Sequence, residues 1–95
     1  MSGVTGRPTA GARLVVEKAE EGAGAVVYRG LVYLPDADVA AEVTIALPGG
    51  ATRASLGPGG TTELEKETAA LVRAATKAQV AAGETLPRKI VRWRP

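Results

Sequence analysis

The chain has no histidine, no cysteine and no phenylalanine among its 95 residues. Without histidine it lacks the commonest general base and metal ligand. Without cysteine as well, thiolate chemistry, disulfides and zinc or iron–sulfur centres are set aside. Bulk is scarce too. The aromatic set is one Trp and two Tyr, and the single Met is residue 1. Val, Leu and Ala must therefore fill the core, and stability is modest unless a partner or a second copy covers more surface. No apolar run approaches the roughly 18 residues of a membrane span. The opening MSGVTGRPTAGAR lacks the apolar stretch of a secretory signal. The expectation is a cytoplasmic chain with no membrane contact.

The length suits one small domain, and an apolar fraction of 45% is that of a folded protein. The net charge of +2 is unevenly placed. Residues 1–60 carry five Lys and Arg against six Asp and Glu, residues 61–95 seven against four. The last eight residues hold Arg88, Lys89, Arg92 and Arg94 with no acid.

The clearest period lies in Thr61 to Gly83, TTELEKETAALVRAATKAQVAAG. Thr62 suits an N-cap with Glu65 completing a capping box, and Gly83 suits a left-handed C-terminal cap. At about 100° per residue, Leu64, Thr68, Leu71, Ala75, Ala78 and Ala82 share a stripe with Val72 at its edge. That stripe needs a broad apolar surface, and the first half of the chain supplies strands. ARLVVEK (12–18) alternates, with Leu14 and Val16 inward and Arg13, Val15 and Glu17 outward. AVVYRGLVYL (25–34) is apolar on both sets, as a central strand is, and Gly30 marks a bulge or a close backbone approach. AEVTIAL (41–47) places Val43, Ile45 and Leu47 on one face, and ATRASL (51–56) returns with Arg53 and Ser55 outward. Gly- and Pro-rich turns separate these runs.

The expected fold is α+β: a four-stranded antiparallel meander followed by one long helix packed on one sheet face, then a basic extended C-terminal tail. Residues 1–11 read as a flexible arm, 12–87 as the domain and 88–95 as the Trp-containing tail. In KIVRWR (89–94), Ile90 and Arg92 alternate with Val91 and Trp93, a pattern that suits a further strand, a segment along the helix or a docking element.

No motif points to catalysis. Gly57 to Gly60 precede the helix, but no Lys-Ser/Thr follows, and Glu63, Glu65 and Glu67 would repel a phosphate there. Asp36, Asp38 and Glu42 are too few for a calcium loop and read as turn formers. Ser2 and Ser55 have no base in sequence to activate them. The expectation is no enzyme, no metal and no cofactor.

The interaction signals are stronger. Lys66, Arg73 and Lys77 fall within about 40° of one another on the helix back. Arg88, Lys89, Arg92, Trp93 and Arg94 concentrate charge and the only Trp at the C-terminal end, and Arg and Trp are frequent interface anchors. Trp93 is expected to be at least partly covered, by its own domain or by a second chain. The first reading is a small non-catalytic protein-interaction or adaptor module that self-associates, with a homodimer or another protein as partner. The alternative is a single-stranded DNA or RNA binder using the helix back and the basic tail, where charge meets phosphate and Trp93 stacks on a base. Four strands followed by a helix also occur in some nucleic-acid-binding modules, but fold does not fix function.

Overall fold

A computed structural model describes residues 11–94; the expected N-terminal arm therefore lies, apart from Gly11, outside the described residues. Within them, five strands and one helix follow in the order β1 (Ala12–Glu21), β2 (Ala25–Tyr33), β3 (Asp38–Ala46), β4 (Thr52–Leu56), α1 (Thr62–Ala82) and β5 (Lys89–Arg94). All five strands form one sheet in the spatial order β4-β3-β2-β1-β5, with every neighbouring pair antiparallel. The first four strands are the expected meander. The expectation of a separate tail is corrected: residues 89–94 are the fifth strand, paired along β1 from Ala12↔Arg94 to Glu17↔Lys89. The doubly apolar β2 is the central strand.

Alternation explains which side chains are inside. Leu14, Val16, Val26, Tyr28, Val32, Val39, Val43 and Ile45 are buried beneath the helix side of the sheet. Gly30 belongs to this same face, paired with Val16. A Cβ at Gly30 would stand 2.0 Å from the Val15 carbonyl oxygen and 2.7 Å from Val16 Cα, so the absence of a side chain is what lets β1 approach. β1 carries an irregularity between Lys18 and Glu20 and continues past the expected end at Lys18.

The helix cap lies one residue earlier than the tandem threonines suggested. Thr61 is the N-cap, its hydroxyl accepting from Leu64 N–H at 3.0 Å. Glu65 makes no capping box; its carboxylate accepts from Leu56 N–H at 3.3 Å and ties the helix start to the end of β4. Gly83 takes the left-handed cap conformation at φ 68°, as its position implied. At the far end Val80 rests against Gly50 in the β3–β4 turn.

The buried stripe of α1 is Leu64, Thr68, Val72 and Thr76, with Leu71, Ala75 and Val80 half-buried beside it. Relative to the expected face, the helix is rotated toward the threonines: Val72 is central, while Ala82 is exposed. Threonine tolerates the position because its methyl packs and its hydroxyl is satisfied locally; Thr76 Oγ1 donates to the Val72 carbonyl at 2.9 Å. The connection from Gly83 to β5 returns on the sheet's helix side. Leu86 and Ile90 are buried there, the Tyr28 hydroxyl donates to the Pro87 carbonyl, and Lys18 N–H donates to the Arg88 carbonyl at 2.7 Å. No helix among the described residues is long and apolar enough to cross a membrane.

Candidate interaction surface

The helix covers one face of the sheet only. On the opposite face the strand register lines side chains into five rows. The first is Trp93, Arg13, Tyr33 and Asp38; the second is Val91, Val15, Leu31 and Ala40. The third is Lys89, Glu17, Arg29, Glu42 and Ser55; the fourth is Glu20, Val27, Thr44 and Arg53; the fifth is Ala25 and Ala46. Directly paired residues of antiparallel strands lie on one face within contact range, so each row is a continuous ladder.

In the first row the Arg13 guanidinium lies between two aromatic rings, 5.4 Å from the Trp93 centroid and 5.8 Å from that of Tyr33. Both distances are within cation–π range. Trp93 is 56% exposed, the one large apolar side chain among the described residues so exposed. Its own domain therefore covers it only in part: an edge-strand position facing away from the helix gives it a neighbour on one side only. Next to it, Val91, Val15 and Leu31 are half-buried and contiguous, an apolar row beside water.

The third row alternates in sign. Arg29 donates from Nε to Glu42 at 2.8 Å and from Nη2 to Glu20 at 2.7 Å. These hydrogen bonds, that to Glu42 first, hold the guanidinium above its ordinary pKa. The face as a whole carries Arg13, Arg29, Arg53 and Lys89 against Glu17, Glu20, Asp38 and Glu42, so its charge is balanced.

The basic residues singled out from the sequence are not brought together. Lys66, Arg73 and Lys77 stand on the helix, all three exposed. Arg73 and Lys77 border a groove of about 610 Å³ against Pro48, Gly49 and Gly50. Within β5, alternation sends Lys89 and Trp93 to the open face and Arg92 and Arg94 to the helix side. Arg94 Nε pairs with Glu67 Oε1 at 3.0 Å, and Arg92 donates to the Val91 carbonyl at 2.9 Å. Arg88 lies ahead of the strand, beside Glu17, Lys18 and Glu21. One basic tail is thus divided among three surfaces.

Sequence reasoning missed Arg13, Tyr33 and Leu31 as members of this surface. The available signal was outward Val15 together with the second apolar set of β2; what joins them to Trp93 is the β1–β5 pairing. No family model, curated protein or solved structure matches the chain.

Proposed function

We propose that the chain is a small non-catalytic protein-interaction or adaptor module that works through the uncovered face of its sheet. The observation that carries this reading is the exposed Trp93, stacked on Arg13 beside Tyr33 and continuous with Val91, Val15 and Leu31. An aromatic and Arg cluster bordering an apolar row is the composition of an interface centre, and the charged third row is that of its rim.

The second reading is single-stranded nucleic acid. Trp93 and Tyr33 can stack on bases, and Arg13 between them adds a cation. Against it, Glu17, Glu42 and Asp38 share the face and repel phosphate, while Lys66, Arg73 and Lys77 stand on a different surface.

Two variants separate the readings. Leu31→Glu on the open face is expected to keep its circular dichroism spectrum and melting curve but to lose association, measured by sedimentation of the chain with itself and by retention of other proteins on immobilised chain. Arg73→Glu with Lys77→Glu is expected to leave both measurements unchanged. Association that survives Leu31→Glu overturns the interaction reading. Salt-sensitive binding to mixed single-stranded DNA or RNA, lost in the helix double variant, establishes the alternative in its place.

A further inference from the structure

The third row of the open face has an internal symmetry. Read across the sheet from β5 to β3 it runs Lys89, Glu17, Arg29, Glu42. Reversing that order about the gap between β1 and β2 sets each cation opposite an acid: Lys89 against Glu42, and Glu17 against Arg29. The second row reverses in the same way, Val15 against Leu31 and Val91 against Ala40. A pattern that becomes its own complement on reversal fits a second copy turned face down by a two-fold axis.

Resting on the interaction reading above, we infer that the partner on this face is a second copy of the chain. The two-fold axis lies between the stacked sheets, parallel to the strands and over the β1–β2 gap. It carries β1 over β2 of the other copy and β5 over β3. Val15 and Leu31 of both copies then form a four-residue apolar centre on the axis, which is the self-complementary contact an isologous dimer requires. Each Lys89 meets the other copy's Glu42, and each Glu17 meets the other copy's Arg29. Sheets stacked face to face cross at about 30°, which displaces the outer Lys89–Glu42 contact by only a few ångströms, within reach of two long side chains.

The area is sufficient. The four strands that overlap, β5, β1, β2 and β3, spaced by about 4.8 Å over about 20 Å of strand length, present roughly 400 Å² in projection. Side-chain relief raises the accessible surface toward the ~800 Å² per partner of a stable interface. The balanced charge also favours a copy over a phosphate polymer, because the cations of the third row each have an acid beside them.

The decisive experiment mixes two charge reversals. Lys89→Glu alone faces Glu42 of its copy with like charge, twice per dimer, and Glu42→Lys alone faces Lys89 in the same way. Each is expected to weaken dimerisation on the order of tenfold or more in sedimentation equilibrium at micromolar concentration. In an equimolar mixture of K89E and E42K chains, the heterodimer sets the introduced carboxylate of one chain against the introduced ammonium of the other. Its second contact is the unaltered Lys89 of one chain with the unaltered Glu42 of the other. Both contacts attract, so the heterodimer is expected to recover wild-type affinity. Within one chain Lys89 and Glu42 are separated by β1 and β2, and each reversal worsens its own neighbours, so recovery on mixing arises only between chains. A mixture as weak as either variant overturns this pairing. Dimers unaffected by either reversal place the interface elsewhere and overturn it too. A wild-type monomer overturns the self-pairing; if that monomer still retains another protein through Leu31, the interaction reading stands, and if it retains none, both fall.

Discussion

The two faces of the sheet come from the same five strands and differ in what covers them. Toward the helix, Leu14, Val16, Val43 and Ile45 join Leu64 and Val72 in one core whose members are nearly inaccessible to water. Away from it, Val15, Leu31 and Val91 alternate with those core positions but remain only half-buried. A strand that needed one apolar face would show polar residues at the second set; β2 does not, and its two sets are nearly equal in apolar character. Among the described residues, nothing packs over the apolar side chains of this second face as the helix does over the first.

The sharpest way to break that comparison is to place a charge on each side. Val72→Asp puts an unpaired carboxylate into the centre of the helix contact and is expected to cost about 4 kcal/mol or more, leaving little folded protein in thermal melts. The same change at Leu31 should cost less than about 1 kcal/mol in the isolated chain. A Val72→Asp protein with an unchanged melting curve would show that the helix rests on a different stripe.

A smaller effect should appear at alkaline pH. Burial, reinforced by the charge of Glu21, pushes the Tyr28 phenol from 10 up to about 12. The folded state therefore holds its proton more tightly than the unfolded state. Its contribution is complete below pH ~10 and is lost as pH rises from about 10 to about 12, amounting to roughly 2–3 kcal/mol. Urea titrations across this range should record the loss, and Tyr28→Phe should remove that component. At neutral pH the same variant is expected to cost about 1 kcal/mol through the hydrogen bond to Pro87.

The least effect on folding is expected from Trp93→Ala, below about 1 kcal/mol, because the ring is more than half exposed and loses chiefly its stack on Arg13. Its effect on association should be larger. A melting curve lowered as far as that of a core truncation would mean that Trp93 supports the domain itself.

The meander was legible in the sequence because Leu14/Val16 and Val43/Ile45 alternate cleanly between turn-forming residues. The helix span was legible from its cap residues, Gly83 above all. Its rotation was not, because alanine is too small to mark a buried face and Thr76 counts as polar until its local surroundings are seen. Thr61 and Thr62 are interchangeable as cap candidates without the Leu64 contact. The fifth strand was the hardest to read. Half of KIVRWR is cationic, which suits a solvated tail as well as a strand, and nothing local in it names β1 as its neighbour. That pairing decides the candidate surface, since only it brings Trp93 to Arg13 and Lys89 into line with Glu17.

The β1–β5 ladder also sets an order of events. Ala12 pairs with Arg94, so the contact joins residues separated by most of the chain, a separation that slows folding. As the polypeptide emerges from a ribosome, β1 can pair with β2 at once on one edge. Its other edge must stay bare until β5 has been made and the helix has carried it back. During that interval the exposed edge of β1, with apolar residues on both of its faces, is the part of the nascent chain most open to capture by another strand. Arrival of β5 closes that edge.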